Sequence, residues 1–385
     1  MISQTEIERR YHNLRARMAA ERVDALLVCG NQYTGFEGAV RYTSGFEIVH
    51  RYAYVLLPLA GEPTLVFPRE ARWIGDKSKP WVREHVWPDV PGAWVRQQCA
   101  ERGWKRLAVY GLDAVMAVRD YRELAAAALE LVPFDFHFDM ARAVKSEEEL
   151  AHVRESMDII LDGFRALLKA YQPGRTEAEI MAPAVERFFA RGAGPRMMNI
   201  VLSGAKGEAE AHFKVPGLRK VAPDDLLLYS LEIANPEGYW VEFSRPLIRG
   251  AVSARTQAMK DVYPEALEAA RLKMREGERA SAVHKAAADV FAARGFGLGH
   301  LSGHSIGITM IEHPAIGAKS DVELRENMIF SFHPQVVDSE GQACLYTQDM
   351  YRVGKREGEN LCAVPWKFYS GSDPSVLGSL IGASG

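Results

Sequence analysis

Histidine is the side chain whose ordinary pKa, about 6.5, lets it give or take a proton near neutrality. Four of the eleven histidines sit at element ends. His212 follows the turn-like stretch SGAKGEAEA, and His304 lies in GHLSGHSIG between a helical segment and an apolar run. His313 precedes Pro314, and His333 closes the strand-like MIFSF before Pro334. Sites are commonly assembled at such ends, on a rigid scaffold. Glycines 299, 303 and 307 around His300 and His304 let another group approach the backbone closely. Glu242 projects from a strand whose period of two puts Trp240, Glu242 and Ser244 on one face. A lone histidine is more often a surface or hydrogen-bonded structural residue. A set of them with a glutamate offers general acid/base chemistry or metal ligation.

The elements that must carry these residues fall into two regimes. Residues 5–21 place Ile7, Tyr11, Leu14 and Met18 at spacings of three and four, which predicts an amphipathic helix before the apolar run 23–28. Further apolar runs at 52–57, 63–67 and 107–110 alternate with helical segments, notably 121–131. Residues 1–143 therefore read as a small α/β domain. Near Lys145 the pattern changes. Ser146 with Glu149 makes a capping box ahead of a long amphipathic helix that ends before Pro173 and Gly174, and Thr176 with Glu179 repeats it. Strand-like blocks at 197–202, 226–233, 239–243, 328–332 and 346–353, with helices near 254–276 and 278–294, give residues 144–369 an α+β reading. Residues 370–385, rich in Gly and Ser, read as a mobile tail.

Composition removes whole classes of function. The chain has 385 residues, with 47 Lys plus Arg against 50 Asp plus Glu, and no basic stripe for phosphates, so nucleic-acid binding is not expected. Cys29, Cys99, Cys344 and Cys362 are far apart with no CxxC, which argues against a zinc knuckle or disulfide framework and for buried cytosolic thiols. No run of about 18 apolar residues occurs. A cytoplasmic protein without membrane or nucleic-acid partners is expected.

The order of segments resembles the creatinase/prolidase/methionine aminopeptidase (M24) family, with its pita-bread fold. VDALLV, RYTSGF and YAYVLLPLAGEPTLVF resemble the creatinase N-terminal domain, and ARAVKSEEELAHVRES the domain junction. SG…AH at His212, DDLLLYSLEIANPEGYWVEFSRPL, GHSIGITMIEHP, MIFSFHP and YTQDMYRVGKREGENL follow in the order of the catalytic domain. The resemblance implies an α+β pita-bread domain behind a smaller α/β domain. Metal-dependent members hold two ions on Asp, Asp, His, Glu and Glu. The matching positions here are Ser230, Glu242, His304, His333 and Gln348, so most of the balancing negative charge is gone. That implies a metal-independent, creatinase-like centre in which His212 is the general acid/base and His304, His333 and Glu242 form its polar floor. The glutamate that creatinase uses near this floor aligns with Ser244. The alternative is a single divalent ion, Fe, Zn or Mn, on Glu242, His304 and His333.

By the same resemblance Arg51 reaches for a substrate carboxylate, although an exposed surface arginine is the equal alternative. Ser230, Glu232, Trp240, Tyr346 and Gln348 are expected to line the substrate pocket, with Tyr229 a further candidate, and Arg245 to be structural. The second motif histidine of the peptidases falls on Ile311, with His313 offset by two. The favoured function is hydrolysis of a C–N bond, amide or amidine, in a small carboxylate-bearing molecule, and a lyase reaction uses the same histidine. The other readings are a mononuclear prolidase- or Xaa-Pro aminopeptidase-like metallohydrolase and a noncatalytic binding protein. A homodimer is implied by resemblance.

Overall fold

The computed structural model describes residues 2–362 and 364–371, so all but the first two residues of the expected tail lie outside the described residues. The chain divides into two compact units. The first runs to Ala143 and takes back Ile308–His313, and the second comprises Val144–Gly307 and the chain from Pro314 on.

In the first unit the strands are Ala25–Asn31 (β1), Tyr52–Pro58 (β2), Thr64–Val66 (β3), Glu84–Val86 (β4), Arg106–Tyr110 (β5) and Glu130–Pro133 (β6). They form one six-stranded mixed sheet in the order β4-β3-β2-β1-β5-β6. Alternation along β1 sends Leu26 and Val28 into one apolar cluster and Ala25, Leu27 and Cys29 into another, so helices can cover both faces. Helix Gln4–Ala20 buries Ile7, Leu14 and Met18 and is capped by Ser3. The helical reading of 121–131 is corrected. The helix is Val118–Ala125, and Glu130–Pro133 pairs in parallel with β5, where the open strand edge overrides local propensity. Ile308–His313 is pinned in this unit by Arg142, which is buried and lies 2.7 Å from Asp139 and 3.2 Å from Glu312.

The second unit opens with helices Glu147–Ala170 and Glu177–Ala190, each started by the capping box read from the sequence. Strands Met197–Gly204 (β7), Leu226–Ala234 (β8) and Trp240–Phe243 (β9) form an antiparallel sheet. Helices Ala254–Lys273 and Ala280–Ala292 follow. The remaining strands are Gly297–Leu298 (β10), Gly303–Ser305 (β11), Glu312–Ile316 (β12), Ile329–Phe332 (β13), Val336–Val337 (β14), Cys344–Leu345 (β15), Asp349–Arg352 (β16) and Glu359–Asn360 (β17). A second sheet has the order β12-β11-β13-β16-β17, and β10-β14-β15 make a third. Short strands such as β10, β14 and β15 carry no legible alternation. A bridge between Ser244 and Gln348 ties the end of β9 to the start of β16.

All four cysteines are free and buried, and burial pushes the Cys99 thiol up to about 11 and Cys344 to about 12. Among the described residues no helix is long and apolar enough to cross a membrane.

Candidate functional site

Strand register assembles the site inside the second unit. β8 is buried along its whole length, as its near-continuous apolar sequence requires, yet it carries Ser230 and Glu232. Glu232 lies directly opposite Glu242 of β9. On the second sheet His304 of β11 is paired with Ser331 of β13, and Ser331 with Met350 of β16. His333, two residues beyond Ser331, leaves the strand on the same face. Gln348, brought in by its bridge to Ser244, lies between the two glutamates.

Glu242 is buried, with His304 Nε2 3.5 Å from Oε1 and His333 Nε2 4.0 Å from Oε2. Ser331 Oγ donates to Glu242 Oε2 at 2.5 Å, and Gln348 Nε2 donates to the same oxygen at 2.9 Å. Gln348 Nε2 also reaches Glu232 Oε1 at 3.2 Å. Ser230 Oγ is 2.5 Å from Glu232 Oε1 and within hydrogen-bond reach of Gln348 Oε1. His304 Nδ1 is 3.0 Å from the Ser305 carbonyl, which can only accept, so the neutral ring keeps its proton there and its Nε2 lone pair faces Glu242.

Burial dominates the electrostatics. It raises Glu242 to about 7, against the pull of the Ser331 and Gln348 hydrogen bonds. Burial, and next the charge of Glu242, raise Glu232 to about 8. His333 is held well below the ordinary histidine value by burial and by His304 and His300 beside it. Burial also lowers His300 and raises the Tyr346 phenol.

Aromatic rings flank this centre. The His304 and His333 rings are 5.1 Å apart, His300 is 5.4 Å from His333, and Tyr346 is 5.8 Å from His333. Phe213 packs 5.3 Å from Tyr346 and 5.8 Å from His300. His212, its neighbour, is exposed. The flanking backbone is fixed: Ala211 N–H donates to the Gln342 carbonyl at 2.9 Å, and Lys214 exchanges two hydrogen bonds with Val201.

Ser230, Glu232, Glu242, His304, His333, Tyr346 and Gln348 are thus gathered in one place, and Trp240 shares the face of Glu242. Tyr229 does not join them. It points to the other side of β8 and stacks on Phe164 at 6.3 Å. Arg245 is structural: buried, it donates to Asp349 at 2.7 Å and to the Val364 carbonyl at 2.8 Å. Arg51 belongs to the first unit, half exposed, at positive φ and 3.8 Å from Glu70. Ile311 and His313 are exposed residues of that unit, and His313 lies edge-on to Phe136. Sequence reasoning missed Ser331, although the strand FSFH already put it on the side of His333, and it missed Phe213.

The donors Glu242, His304 and His333 lie within 4.8 Å of one another, the only such cluster of three among the described residues. The set fits one divalent ion. Glu242 is oriented by Ser331 and Gln348, and His304 has its tautomer fixed by the Ser305 carbonyl, as metal ligands are in well-made sites. Among the described residues no second cluster of three donors offers a place for another ion, and the neutral Ser230 and Gln348 are spent on hydrogen bonds to Glu232 and Glu242.

Comparison with known proteins agrees with this layout. The sequence model of metallopeptidase family M24 matches residues 151–355, and that of the creatinase/prolidase N-terminal domain matches residues 10–144. The chain belongs to metallopeptidase family M24. This M24 chain is 27% identical over 333 residues to the probable dipeptidase PepE of Mycobacterium tuberculosis H37Rv, covering 83% of this chain and 86% of PepE. It is 27% identical over 198 residues to the Xaa-Pro dipeptidase of Lactobacillus delbrueckii subsp. lactis, covering 51% of this chain and 53% of that enzyme, about half its length. Among solved structures, the prolidase of Pyrococcus horikoshii OT3 superposes with a TM-score of 0.79 at 20% identity, covering 93% of this chain and 99% of that one. PepE from Mycobacterium ulcerans gives 0.79 at 24% identity, covering 96% and 99%. The fold is the two-domain α+β pita-bread fold with a creatinase-type N-terminal domain, and the curated relatives named here are dipeptidases, hydrolases of C–N bonds.

Proposed function

We propose that this chain hydrolyses an amide or amidine C–N bond of a small carboxylate-bearing molecule, at a centre that holds one divalent ion on Glu242, His304 and His333. The supporting observation is the pairing of His304 Nε2, a lone pair in the neutral ring, with Glu242 Oε1 at 3.5 Å. Two acceptors facing one another in a buried site call for a cation between them, either a metal ion or the proton that Glu242, raised to about 7, is able to carry. Donors about 2.0–2.2 Å from one ion stand about 3.0–3.5 Å apart; His304 Nε2 is already 3.5 Å from Glu242 Oε1, and His333 Nε2, 4.0 Å from Oε2, would draw in on binding. When bound, such an ion polarises a carbonyl and lowers the pKa of a bound water to near 7.

The chain's own residues do the rest. Ser331 and Gln348 hold the Glu242 carboxylate in place. His212, on its braced segment, is the proposed acid/base that carries a proton to the leaving nitrogen, a role typically worth about 10²- to 10⁴-fold in rate. Trp240, Tyr346, Ser230 and Glu232 form the proposed substrate wall, and Arg51 is the proposed partner of the substrate carboxylate. A homodimer in the cytoplasm, with the domain boundary at 143/144, belongs to the same proposal, and light scattering tests the dimer.

A second, metal-free reading is supported by Gln348 and Ser230, neutral groups that satisfy both glutamates through hydrogen bonds. In that reading His212 does the chemistry over the floor of Glu242, His304 and His333. The test is turnover of Xaa-Pro dipeptides, small amides and amidino acids before and after chelation. Activity lost on chelation and restored by one equivalent of metal supports the one-ion centre. Activity untouched by chelation, but lost in His212→Ala, favours the metal-free reading.

A further inference from the structure

The short sheet β10-β14-β15 delivers several residues to this centre from one end. Leu298, Val336 and Leu345 lie in register, so Gly299 with His300, then Gln335, then Tyr346 all leave that end together. Gln335 is also only two residues beyond His333. Its side chain is 3% exposed. A buried amide costs free energy unless its polar atoms are used, and an apolar side chain of the same size would fill the space without that cost. Here the amide is used: Gln335 Nε2 donates to the Ala211 carbonyl at 3.3 Å. That carbonyl can only accept, so the nitrogen of the amide must be the atom that faces it.

Ala211 is the residue before His212. Its N–H is spent on the Gln342 carbonyl at 2.9 Å, and Cys344 N–H donates to the Ala209 carbonyl at 3.0 Å, so the chain is fixed as far as the Ala211 nitrogen. The next peptide plane leads into His212, and its orientation follows from where the Ala211 carbonyl points. The Gln335 amide sets that direction. On the other side of His212, Phe213 packs 5.3 Å from Tyr346 and 5.8 Å from His300. His212 is thereby bracketed by two anchors on one end of one sheet. Gly299 makes room for the first of them, because its N–H donates to the Gln335 carbonyl at 2.9 Å and a Cβ at 299 would collide with Gln335 Oε1. We propose that Gln335, seated against Gly299, is a positioning residue that sets where His212 stands relative to His333 and His300. Its effect on turnover rests on the acid/base reading of His212; the tie itself rests on the contacts of Gln335 with Ala211 and Gly299.

The experiment compares wild type with Gln335→Met, which keeps the volume and loses the donor, with Gly299→Ala, which displaces the amide from the opposite side, and with the two combined. The full chain in chelator, isotope-labelled at histidine Cε1, gives an NMR signal for His212 that is assigned by its loss in His212→Asn. That signal should move or broaden in both single variants, and the double variant should resemble either one, because both act through a single contact. On the best substrate among Xaa-Pro dipeptides, small amides and amidino acids, kcat should fall about 10- to 100-fold with KM within about twofold. Zinc uptake should match wild type. A merely structural Gln335 would lower the urea midpoint and leave the His212 signal of the folded protein in place, which overturns the proposal. Zinc uptake lost in step with turnover also overturns it, since Gln335 would then support His333 instead. If Gln335→Met does not fold, Gly299→Ala decides alone, because the atom it displaces is the far end of a flexible side chain. A His212 signal that moves while turnover stays unchanged keeps the tie and removes the acid/base reading.

Discussion

Gln348→Glu changes the one neutral group on which both glutamates lean. Gln348 Nε2 lies 2.9 Å from Glu242 Oε2 and 3.2 Å from Glu232 Oε1, so a carboxylate there adds a third acidic group beside two already raised to about 7 and about 8. At an effective dielectric of about 20 and a separation of about 3.5 Å, each like-charged pair repels by about 5 kcal/mol. Protonation relieves part of this, and each unit of pKa shift costs about 1.4 kcal/mol. A net loss of about 3–5 kcal/mol, the range for an uncompensated buried charge, is expected in chelator. A divalent ion should reverse it, because the variant offers three carboxylates and two imidazoles. Urea unfolding with and without Mn²⁺ or Zn²⁺ measures the effect, and elemental analysis should show stoichiometry rising from one towards two. A variant as stable as wild type in chelator, with no response to metal, would refute the placement of this amide between two buried carboxylates.

Other outcomes follow from the same geometry. Ser331→Ala removes the 2.5 Å hydrogen bond to Glu242 and should weaken metal retention about 10- to 100-fold, read by competition with a chromogenic chelator. Arg142→Met leaves Asp139 and Glu312 buried without their cation and should cost about 3–5 kcal/mol in urea unfolding. Glu242 and Glu232 are raised from 4.5 to about 7 and about 8, so the chelated folded state binds more protons than the unfolded chain above pH 4.5. The slope these two groups contribute is then negative; His333 and His300, held below the ordinary histidine value, oppose it up to about pH 6.5, so the fall in stability should show as pH rises from about 6.5 to 8. Glu232→Gln should flatten that fall in a series of denaturant midpoints, and a rise over that window in the chelated wild type would contradict it.

Much of this site was legible in the sequence for local reasons. The capping boxes at Ser146 and Thr176 need only four residues each, and both start helices as read. Period two put Trp240, Glu242 and Ser244 on one face, and His304 and His333 were marked by the ends of their elements. The convergence of Glu242, His304 and His333 needed the order of segments, because a meeting of β9, β11 and β13 leaves no mark on any one of them. What escaped depended on partners distant in sequence. Ser230 matched a ligand position by order, yet register sets Glu232 opposite Glu242 and leaves Ser230 as a donor to it. The return of Ile308–His313 to the first unit depends on Arg142, more than 160 positions earlier in the chain. Strand Glu130–Pro133 exists because β5 offers an open edge, which no local pattern shows.

The central claim is one divalent ion on Glu242, His304 and His333. Elemental mass spectrometry of protein purified without chelator, beside His333→Ala prepared identically, tests it most directly. About one equivalent of Fe, Zn or Mn in wild type that disappears in the variant is the predicted result. Less than about a tenth of an equivalent in wild type, with none taken up from added metal, would contradict it and leave His212 as the centre of the chemistry.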